Sequence, residues 1–198
     1  PGERGLALTG PQGMDSLVNP ELQHVVDQVG IATGTLYRGW YEGQVPEGEE
    51  LSTDKLRGDL ALDTIISAVS QGYKVVDVDG GSSPDFIEAL SQTSAIVEPQ
   101  AKDGMSVGRQ QAFKTVSGLA GVGVICWVEP EKVSLVTDGL IDPAKAIIDD
   151  QADIVIPARD QAAFDSYPDF QTKFEQDSNV LFNGILRRHN LYPEDAPD

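Results

Sequence analysis

Three short segments carry side chains whose types and spacing suit the binding of a phosphorylated ligand. The first, residues 77–83, ends an apolar run with Asp79 and continues with Gly80 and Gly81. A carboxylate at a strand end accepts hydrogen bonds from a base or a ribose hydroxyl, and glycine lets a ligand approach the backbone. A tight turn in which Asp79 accepts hydrogen bonds from local amides explains the same residues without a ligand, so both interpretations stay open.

A second segment, residues 102–109, combines glycines with an arginine at the start of a predicted helix. One face of that helix is formed by Met105, Arg109, Ala112, Phe113 and Val116. This helical spacing predicts that Arg109 points inward in the first turn, where a buried guanidinium needs an anionic partner. The free N–H groups of a helix start favour a ligand phosphate as that partner. A protein carboxylate such as Asp79 is the alternative.

Two glutamates follow the most apolar predicted strand, in the sequence Glu129-Pro130-Glu131. In extended backbone, carboxylates two residues apart point the same way and can share a divalent cation through oxygen ligands. A Mg²⁺ or Mn²⁺ ion held there would convert the repulsion of a pyrophosphate into attraction. The alternative is a helix start, with Pro130 as the first helical residue and Glu131 complementing the helix dipole.

The charge of the chain restricts its partners. Its 198 residues include 14 Lys or Arg against 32 Asp or Glu, a net charge of −18. This excess argues against nucleic acid, whose phosphates are held by basic residues, and disfavours an anionic membrane surface. An acidic protein that binds a phosphorylated ligand needs local cations, helix N-termini or a divalent metal at the site.

The remaining composition narrows the class of protein. Cys126 is the single cysteine, which excludes an intrachain disulfide, and its apolar neighbours indicate a buried, unreactive thiol. No apolar run reaches the roughly 18 residues of a transmembrane helix, so we expect no transmembrane segment and a cytoplasmic location. The chain has no GxGxxG or P-loop motif, and no GxSxG motif that would support hydrolase chemistry.

Short β-rich runs alternate with amphipathic segments, and these elements must position the three candidate segments. Strands are predicted at residues 29–37, 73–78, 95–98, 122–128 and 153–157. Helices are predicted after Asn19 and at 53–70, 84–90, 106–119 and 169–189, with further helical residues within 133–150. This alternation predicts an α/β fold with right-handed βαβ units and a mostly parallel sheet, whose carboxyl edge collects the ligand-binding loops. Residues 1–17 are predicted as a flexible N-terminal arm and 18–198 as a single domain.

Two of the predicted helices have apolar stripes that we expect to face the core. In the helix at 53–70, for which Thr53 is the predicted N-cap, the stripe is Leu56, Leu60, Leu62, Ile65, Ile66 and Val69. In the helix at 169–189, the stripe is Phe170, Phe174, Leu181, Phe182 and Ile185.

Taken together, the order of these segments resembles the nucleotide-binding half of GT-A-fold glycosyltransferases, the nucleotide-diphospho-sugar transferase superfamily that includes family-2-like enzymes. The resemblance covers about residues 29–157 and rests on VDVDGGSS, GMSVGR and EPE. It implies a three-layer α/β/α sandwich with a mostly parallel central sheet, in which 18–198 form one nucleotide-sugar-binding domain. It also implies an enzyme that moves a sugar from a nucleotide-diphosphate donor to an acceptor with the help of Mg²⁺ or Mn²⁺.

The resemblance assigns roles to individual residues. Asp79 and Gly80 match the segment that contacts the base, and Thr35 and Tyr37 fall where family members line the base pocket. Gly104 and Arg109 match the Gly-rich segment and the arginine near the diphosphate. Glu129 and Glu131 hold the position of the acidic DxD motif, which binds the metal and the donor diphosphate.

The chain departs from the family pattern in two places. ExE in place of DxD lengthens both carboxylate arms, and Pro130 restricts the turn between them. The family also carries a C-terminal half with the acceptor site and the catalytic base, so here that half is reduced or the sequence is a piece of a longer protein. Asp160, Asp165 and Glu175 lie in the right region for a base, and the sequence does not choose among them.

Two other functions are compatible with the same fold. A sugar-phosphate nucleotidyltransferase would carry a glycine-rich basic loop directly after the first strand, and Arg38-Gly39-Trp40 is a poor version of it. A non-catalytic nucleotide-sugar-binding module would keep nucleotide affinity without metal dependence. The acceptor, the donor sugar and the oligomeric state, a homodimer included, stay open.

Overall fold

The computed structural model describes residues 20–157 and 168–189 of the chain, so the predicted arm at 1–17 lies outside them. In chain order the elements are α1 (Pro20–Gln28), β1 (Val29–Thr35), α2 (Thr53–Ser70), β2 (Lys74–Asp79), α3 (Pro84–Ser91), β3 (Ile96–Pro99), α4 (Met105–Ser117), β4 (Val124–Trp127), a π-helical turn (Leu135–Gly139), α5 (Ile141–Ile148) and α6 (Asp169–Arg188). The predicted alternation is confirmed from α1 to α5. The N-cap of α2 is Ser52, one residue before the predicted Thr53.

The strands β1 to β4 form a parallel sheet in the order β3-β2-β1-β4. Within it, Ile31 of β1 lies opposite Val75 on one side and opposite Cys126 on the other. The chain extends the sheet from β1 to β3 in one direction and then crosses back to place β4 beside β1. The predicted parallel sheet is confirmed, and its strand order reverses between β1 and β4.

Helices cover both faces of this sheet, because successive strand residues point to opposite sides. Ile31 packs in a core cluster with residues of α2, α3 and α5, among them Ile65. The next residue, Ala32, packs on the other face against Ala112 and Val116 of α4. The chain is therefore an α/β protein with a parallel central sheet flanked by helices, an arrangement compatible with a three-layer sandwich.

The buried face of α2 differs from the predicted stripe. Leu56 and Ile66, both predicted inward, are 48% and 49% exposed. The buried positions include Gly58 and Ala61 instead, and a Cβ added at Gly58 would lie 2.3 Å from the ring of Trp40. Small residues let the helix pack closely, so a stripe drawn from the large apolar residues alone misplaces the face.

Residues 153–157, predicted as a strand, do not form one. The side chains of Ile154 and Ile156 are 78% and 85% exposed. A short apolar run becomes a strand only where a neighbouring strand accepts its backbone hydrogen bonds. Among the described residues, this run pairs with no strand.

The chain divides after Val155 into two compact units, a boundary that falls inside the segment 18–198. The sheet belongs to the first unit and α6 to the second. The extent of α6 agrees with its prediction, but the predicted inward side chains are exposed: Phe170, Phe174, Leu181, Phe182 and Ile185. An apolar stripe predicts an amphipathic helix without specifying what covers it.

None of the described helices has the length and apolar composition needed to cross a bilayer.

Candidate functional site

A crevice of about 520 Å³ lies at the carboxyl edge of the sheet. The ends of β1, β2 and β4 line it, together with the loop before α4, the first residues of α4, and Arg57 of α2. This is the place where the strand order reverses, since β1 lies between β2 and β4. Its volume is in the range of small-molecule sites, which run from about 300 to 1,000 Å³.

Most of the residues predicted for the site border this crevice. Those that line it are Thr35, Tyr37, Gly80, Gly104, Arg109 and Glu129. The two remaining predicted residues, Asp79 and Glu131, are not part of the lining. The three segments identified in the sequence therefore converge on one crevice, although two of the carboxylates turn away from it.

Asp79 closes the loop between β2 and α3. Its Oδ1 accepts hydrogen bonds from the backbone N–H groups of Gly81 (2.8 Å) and Ser82 (2.9 Å). Its Oδ2 accepts from Thr35 Oγ1 at 3.0 Å and from the Ser82 hydroxyl. The tight-turn interpretation accounts for the contacts with Gly81 and Ser82, and the contact with Thr35 joins the turn to β1. The effect on the crevice is indirect, since the turn holds Gly80 at the crevice wall.

A second carboxyl group, Asp77, lies fully buried beneath the crevice. Its Oδ2 lies 2.7 Å from Thr35 Oγ1, whose single proton is shared between Asp77 and Asp79. Among the described residues, Asp77 Oδ1 and the nearby strand hydroxyl of Thr33 have no hydrogen-bond partner. Burial raises the pKa of Asp77 to about 7, with a smaller increase from the charge of Asp79 and an opposing effect of the Thr35 hydrogen bond. Near neutral pH, Asp77 is thus partly protonated.

The start of α4 forms one wall of the crevice. Gly104 precedes the helix with φ +117°, a conformation that favours glycine, and no side chain caps the first turn. A Cβ at Gly108 would lie 2.8 Å from Gln100 Oε1, so glycine there lets the preceding loop pack onto the helix. The uncapped N–H groups of a helix start beside a cavity are suited to an anion.

Arg109, Glu129 and Trp127 form a cluster on this wall, the Trp triad. Arg109 donates to Glu129 Oε1 at 3.0 Å, and Trp127 Nε1 donates to the same oxygen at 3.0 Å. The guanidinium carbon lies 4.8 Å from the centre of the Trp127 ring, a cation–π contact. Arg109 was predicted to be buried, but its side chain is 43% exposed because the inward face of α4 runs through Gly108 and Ala112.

A matching cluster, the Tyr triad, consists of Arg57, Glu131 and Tyr37. Tyr37 donates its hydroxyl to Glu131 Oε1 at 2.7 Å, and Arg57 donates Nε to the same oxygen at 2.7 Å. The guanidinium carbon lies 5.7 Å from the centre of the Tyr37 ring. Burial and the Glu131 hydrogen bond raise the pKa of Tyr37 far above its ordinary value, so the phenol stays protonated.

The residues at 129–131 do not fit the shared divalent cation that the resemblance implies. Each carboxylate already accepts hydrogen bonds from an arginine and from an aromatic side chain, and the two arginines belong to different helices. In both carboxylates Oε1 accepts these hydrogen bonds, and the arginine neutralises the charge that would attract a hard cation. Across residues 20–157 and 168–189, no group of three or more His, Cys, Asp or Glu side chains could hold a metal ion.

Sequence reasoning missed Arg57, which lines the crevice from the second turn of α2. Its contact with Glu131 joins residues 74 positions apart, so no local spacing pattern reports it. The available signal was indirect, since Arg57 is the single arginine of α2. Among the candidate bases, Asp160 and Asp165 lie outside the described residues, and Glu175 lies on α6 in the second unit.

Comparison with protein-family models, with curated proteins and with solved structures finds no match to this chain.

Proposed function

We propose that the chain holds a nucleotide-diphosphate sugar in the crevice and transfers the sugar to an acceptor, as the GT-A-fold glycosyltransferases that it resembles do. One observation carries the proposal. In a chain of net charge −18, the crevice at the strand-order reversal is lined by three arginines, Arg38, Arg57 and Arg109, against the carboxylates of Asp103 and Glu129. Two of these arginines pair with glutamates, Arg57 with Glu131 and Arg109 with Glu129. Arginines gathered at one crevice of an acidic chain supply the donors that a polyanion needs.

The layout of the crevice suits the parts of such a donor. A diphosphate would bind at Arg109 and the uncapped start of α4, because guanidinium and free N–H groups both favour phosphate oxygens. The nucleoside would lie along the end of β1 and the wall at Gly80, where glycine permits close approach. In this arrangement the sugar faces the open side of the crevice, where an acceptor has access.

The sheet supports nucleotide binding as well. The order 3-2-1-4 is shared by doubly wound sheets that bind nucleotides at the reversal point. The segments 77–83, 102–109 and 129–131 follow one another along this sheet in the order found in GT-A-fold enzymes, which supports a GT-A-type fold. Proteins of one fold catalyse different reactions, so an assay with candidate donors has to identify the reaction.

The test is a thermal-shift panel of UDP, GDP, UDP-glucose and GDP-mannose, each with Mn²⁺ and with a chelator. A ligand that binds only the folded state raises the melting temperature, and about 100 Kd of ligand contributes about 2.7 kcal/mol. We expect one nucleotide family to stabilise the protein. Release of the nucleoside diphosphate from the stabilising sugar nucleotide then reports cleavage of the donor, with the sugar passing to water or to an added acceptor.

The matched control pair is Arg109→Ala and Lys145→Ala, which remove the same charge. Arg109 lines the crevice, whereas Lys145 pairs with Asp149 on the exposed side of α5. We expect Arg109→Ala to abolish the ligand-induced shift and Lys145→Ala to retain it. Equal shifts in both variants, or no shift of the unmodified protein with any of the four compounds, would contradict the proposal.

One observation favours a second candidate, a sugar-phosphate nucleotidyltransferase. Arg38, three residues after the end of β1, also lines the crevice, in the position where such enzymes carry a basic loop. Release of pyrophosphate from a nucleoside triphosphate and a sugar 1-phosphate would identify this reaction. Its absence, together with release of nucleoside diphosphate from a sugar nucleotide, would favour the glycosyltransferase.

A further inference from the structure

Two arginines reach the crevice from opposite faces of the sheet. Arg57 belongs to α2, whose Ile65 packs in the cluster on one face, and Arg109 belongs to α4, whose Ala112 packs on the other. The carboxyl edge of the sheet therefore lies between two guanidinium groups. A diphosphate, with its oxygens on two phosphorus atoms, is an anion that two such groups can bind together.

Both arginines are held in the same way. In each triad one glutamate oxygen accepts hydrogen bonds from the guanidinium and from an aromatic N–H or O–H, and the guanidinium lies over that aromatic ring. The ring contact orients the arginine independently of the glutamate. A guanidinium that exchanges its glutamate for another oxyanion therefore keeps its place beside the crevice.

We infer that the crevice binds the diphosphate of its ligand directly through Arg57 and Arg109, without a divalent cation, and that Glu129 and Glu131 are the resident counter-ions of these arginines. This inference rests on the proposed function and names how its diphosphate is held. It assigns the acidic segment 129–131 a role in positioning cations, in place of the metal ligation that the resemblance implies.

The two triads differ in how readily the ligand replaces the glutamate. In the Trp triad both partners are about half exposed, at 43% and 50%, and Arg109 Nε is buried with no hydrogen-bond partner in the described part of the chain. The guanidinium is thus incompletely paired and gains by binding a phosphate. In the Tyr triad Glu131 is only 15% exposed and keeps the Tyr37 hydrogen bond. We therefore expect the ligand to replace Glu129 as the partner of Arg109. Arg57 keeps Glu131 and binds the ligand in addition.

A metal-bridged site and a two-arginine site make opposite predictions about chelation. With a bridging cation, removal of Mg²⁺ and Mn²⁺ leaves two carboxylates facing the phosphates and abolishes binding. With two arginines, the phosphate oxygens contact the guanidinium groups directly, so the chelator leaves affinity unchanged. Salt then weakens binding, because the attraction is between half-exposed charges.

The experiment measures the dissociation constants of UDP, GDP and inorganic pyrophosphate by calorimetry, in chelator and in Mn²⁺, for the full chain. We expect the nucleoside diphosphate that stabilises the protein to bind equally in both conditions. Arg109→Ala should weaken it about tenfold or more, as expected for the loss of a charge-assisted phosphate contact. Lys145→Ala, with the same change of charge, should bind as the unmodified protein does.

Arg57 needs a more careful variant, because its removal leaves Glu131 without a cation. Arg57→Lys keeps the charge and loses the planar pair of donors, so the fold is retained while the diphosphate contact weakens. We expect about fivefold weaker binding with an unchanged urea midpoint. An unchanged affinity in Arg57→Lys and Arg109→Ala together would overturn the inference.

The failures of the two proposals are distinguishable. Binding that requires Mn²⁺ and disappears in chelator would overturn the two-arginine inference and leave the proposed function standing. The absence of binding of UDP, GDP and pyrophosphate in both conditions would overturn both. Chelator-independent binding that Arg109→Ala weakens supports both.

Discussion

Two acid-x-acid pairs follow strands of the same sheet, and their carboxylates are neutralised in different ways. Asp77-Val78-Asp79 ends β2, and its carboxylates meet hydroxyl groups, backbone N–H groups and, for Asp77, a proton. Glu129-Pro130-Glu131 follows β4, and each of its carboxylates meets an arginine. Similar spacing thus leads to a cation-free cluster in one place and to two ion pairs in the other.

The difference shows that spacing alone does not make an acid-x-acid motif a metal site. What decides its chemistry is the element opposite. Beside Asp77 lies β1, which supplies the Thr35 hydroxyl, whereas α2 and α4 supply arginines to Glu131 and Glu129. The pair at 77–79 makes its contacts within the sheet edge and the following loop, and the pair at 129–131 contacts two arginines that line the crevice. Substitutions in each pair therefore test whether the two pairs differ in their effects on stability and on ligand binding.

The largest effect is expected from Asp77→Asn, as a change in the pH dependence of stability. The folded-state pKa of Asp77, about 7, lies above its ordinary value of 3.8, so the folded state binds more protons between these values. The free energy of unfolding should then fall as the pH rises from about 4 to 7 and level off above that. A shift of about three units corresponds to about 4 kcal/mol at most, and Asn, which does not ionise, should remove this part of the slope. Urea unfolding from pH 4 to 8 measures it.

The control for that profile is Asp63→Asn, at an exposed position on α2. It removes the same charge without touching the buried cluster and should run parallel to the unmodified protein across the range. Parallel profiles for Asp77→Asn as well would mean that Asp77 is ionised in the folded state at every pH tested. The contrast between the two acidic pairs would then be lost.

A smaller effect is expected from Glu131→Gln. The substitution keeps an acceptor for the Tyr37 hydroxyl and removes the charge that faces Arg57. Because the Arg57 side chain is 54% exposed, solvent screens the pair, and we expect a loss of about 1 kcal/mol in the free energy of unfolding. Urea unfolding near pH 7 measures the loss, and Tyr37→Phe separates the hydroxyl contribution from that of the charge. Stability equal to the unmodified protein would contradict a structural role of the Tyr triad.

Much of the fold could be predicted, because its elements carry their signals locally. The helix predicted at 84–90 is confirmed as α3, and Ser83 Oγ caps it by accepting from Phe86 N at 3.2 Å. The run at 153–157 was wrongly predicted as a strand, since its pattern does not report whether a partner strand exists. The apolar stripe of α6 likewise predicted a helix, but a stripe does not report whether another element covers it, and its apolar side chains are exposed.

The position of the candidate site could be predicted from the sequence, but the directions of its carboxylate side chains could not. Residues that follow strands of a parallel sheet collect at its carboxyl edge, which is why Gly80, Arg109 and Glu129 share one crevice. The direction of a carboxylate depends on distant donors that spacing does not report. Glu131 turns to Arg57, 74 positions earlier, and Asp79 turns to its own loop and to Thr35.

The smallest change in stability is expected from Glu129→Gln, and it separates the two interpretations of the second acidic pair most directly. Both partners of the Arg109–Glu129 pair are about half exposed, so the free energy of unfolding should change by less than about 0.5 kcal/mol. Loss of the counter-ion frees Arg109, and pyrophosphate should bind about threefold more tightly in chelator, the range expected for one screened charge pair. A metal ligand behaves in the opposite way, because its removal weakens binding in Mn²⁺ and has no effect in chelator. Calorimetry of this one variant in both conditions therefore decides whether Glu129 holds a metal or an arginine.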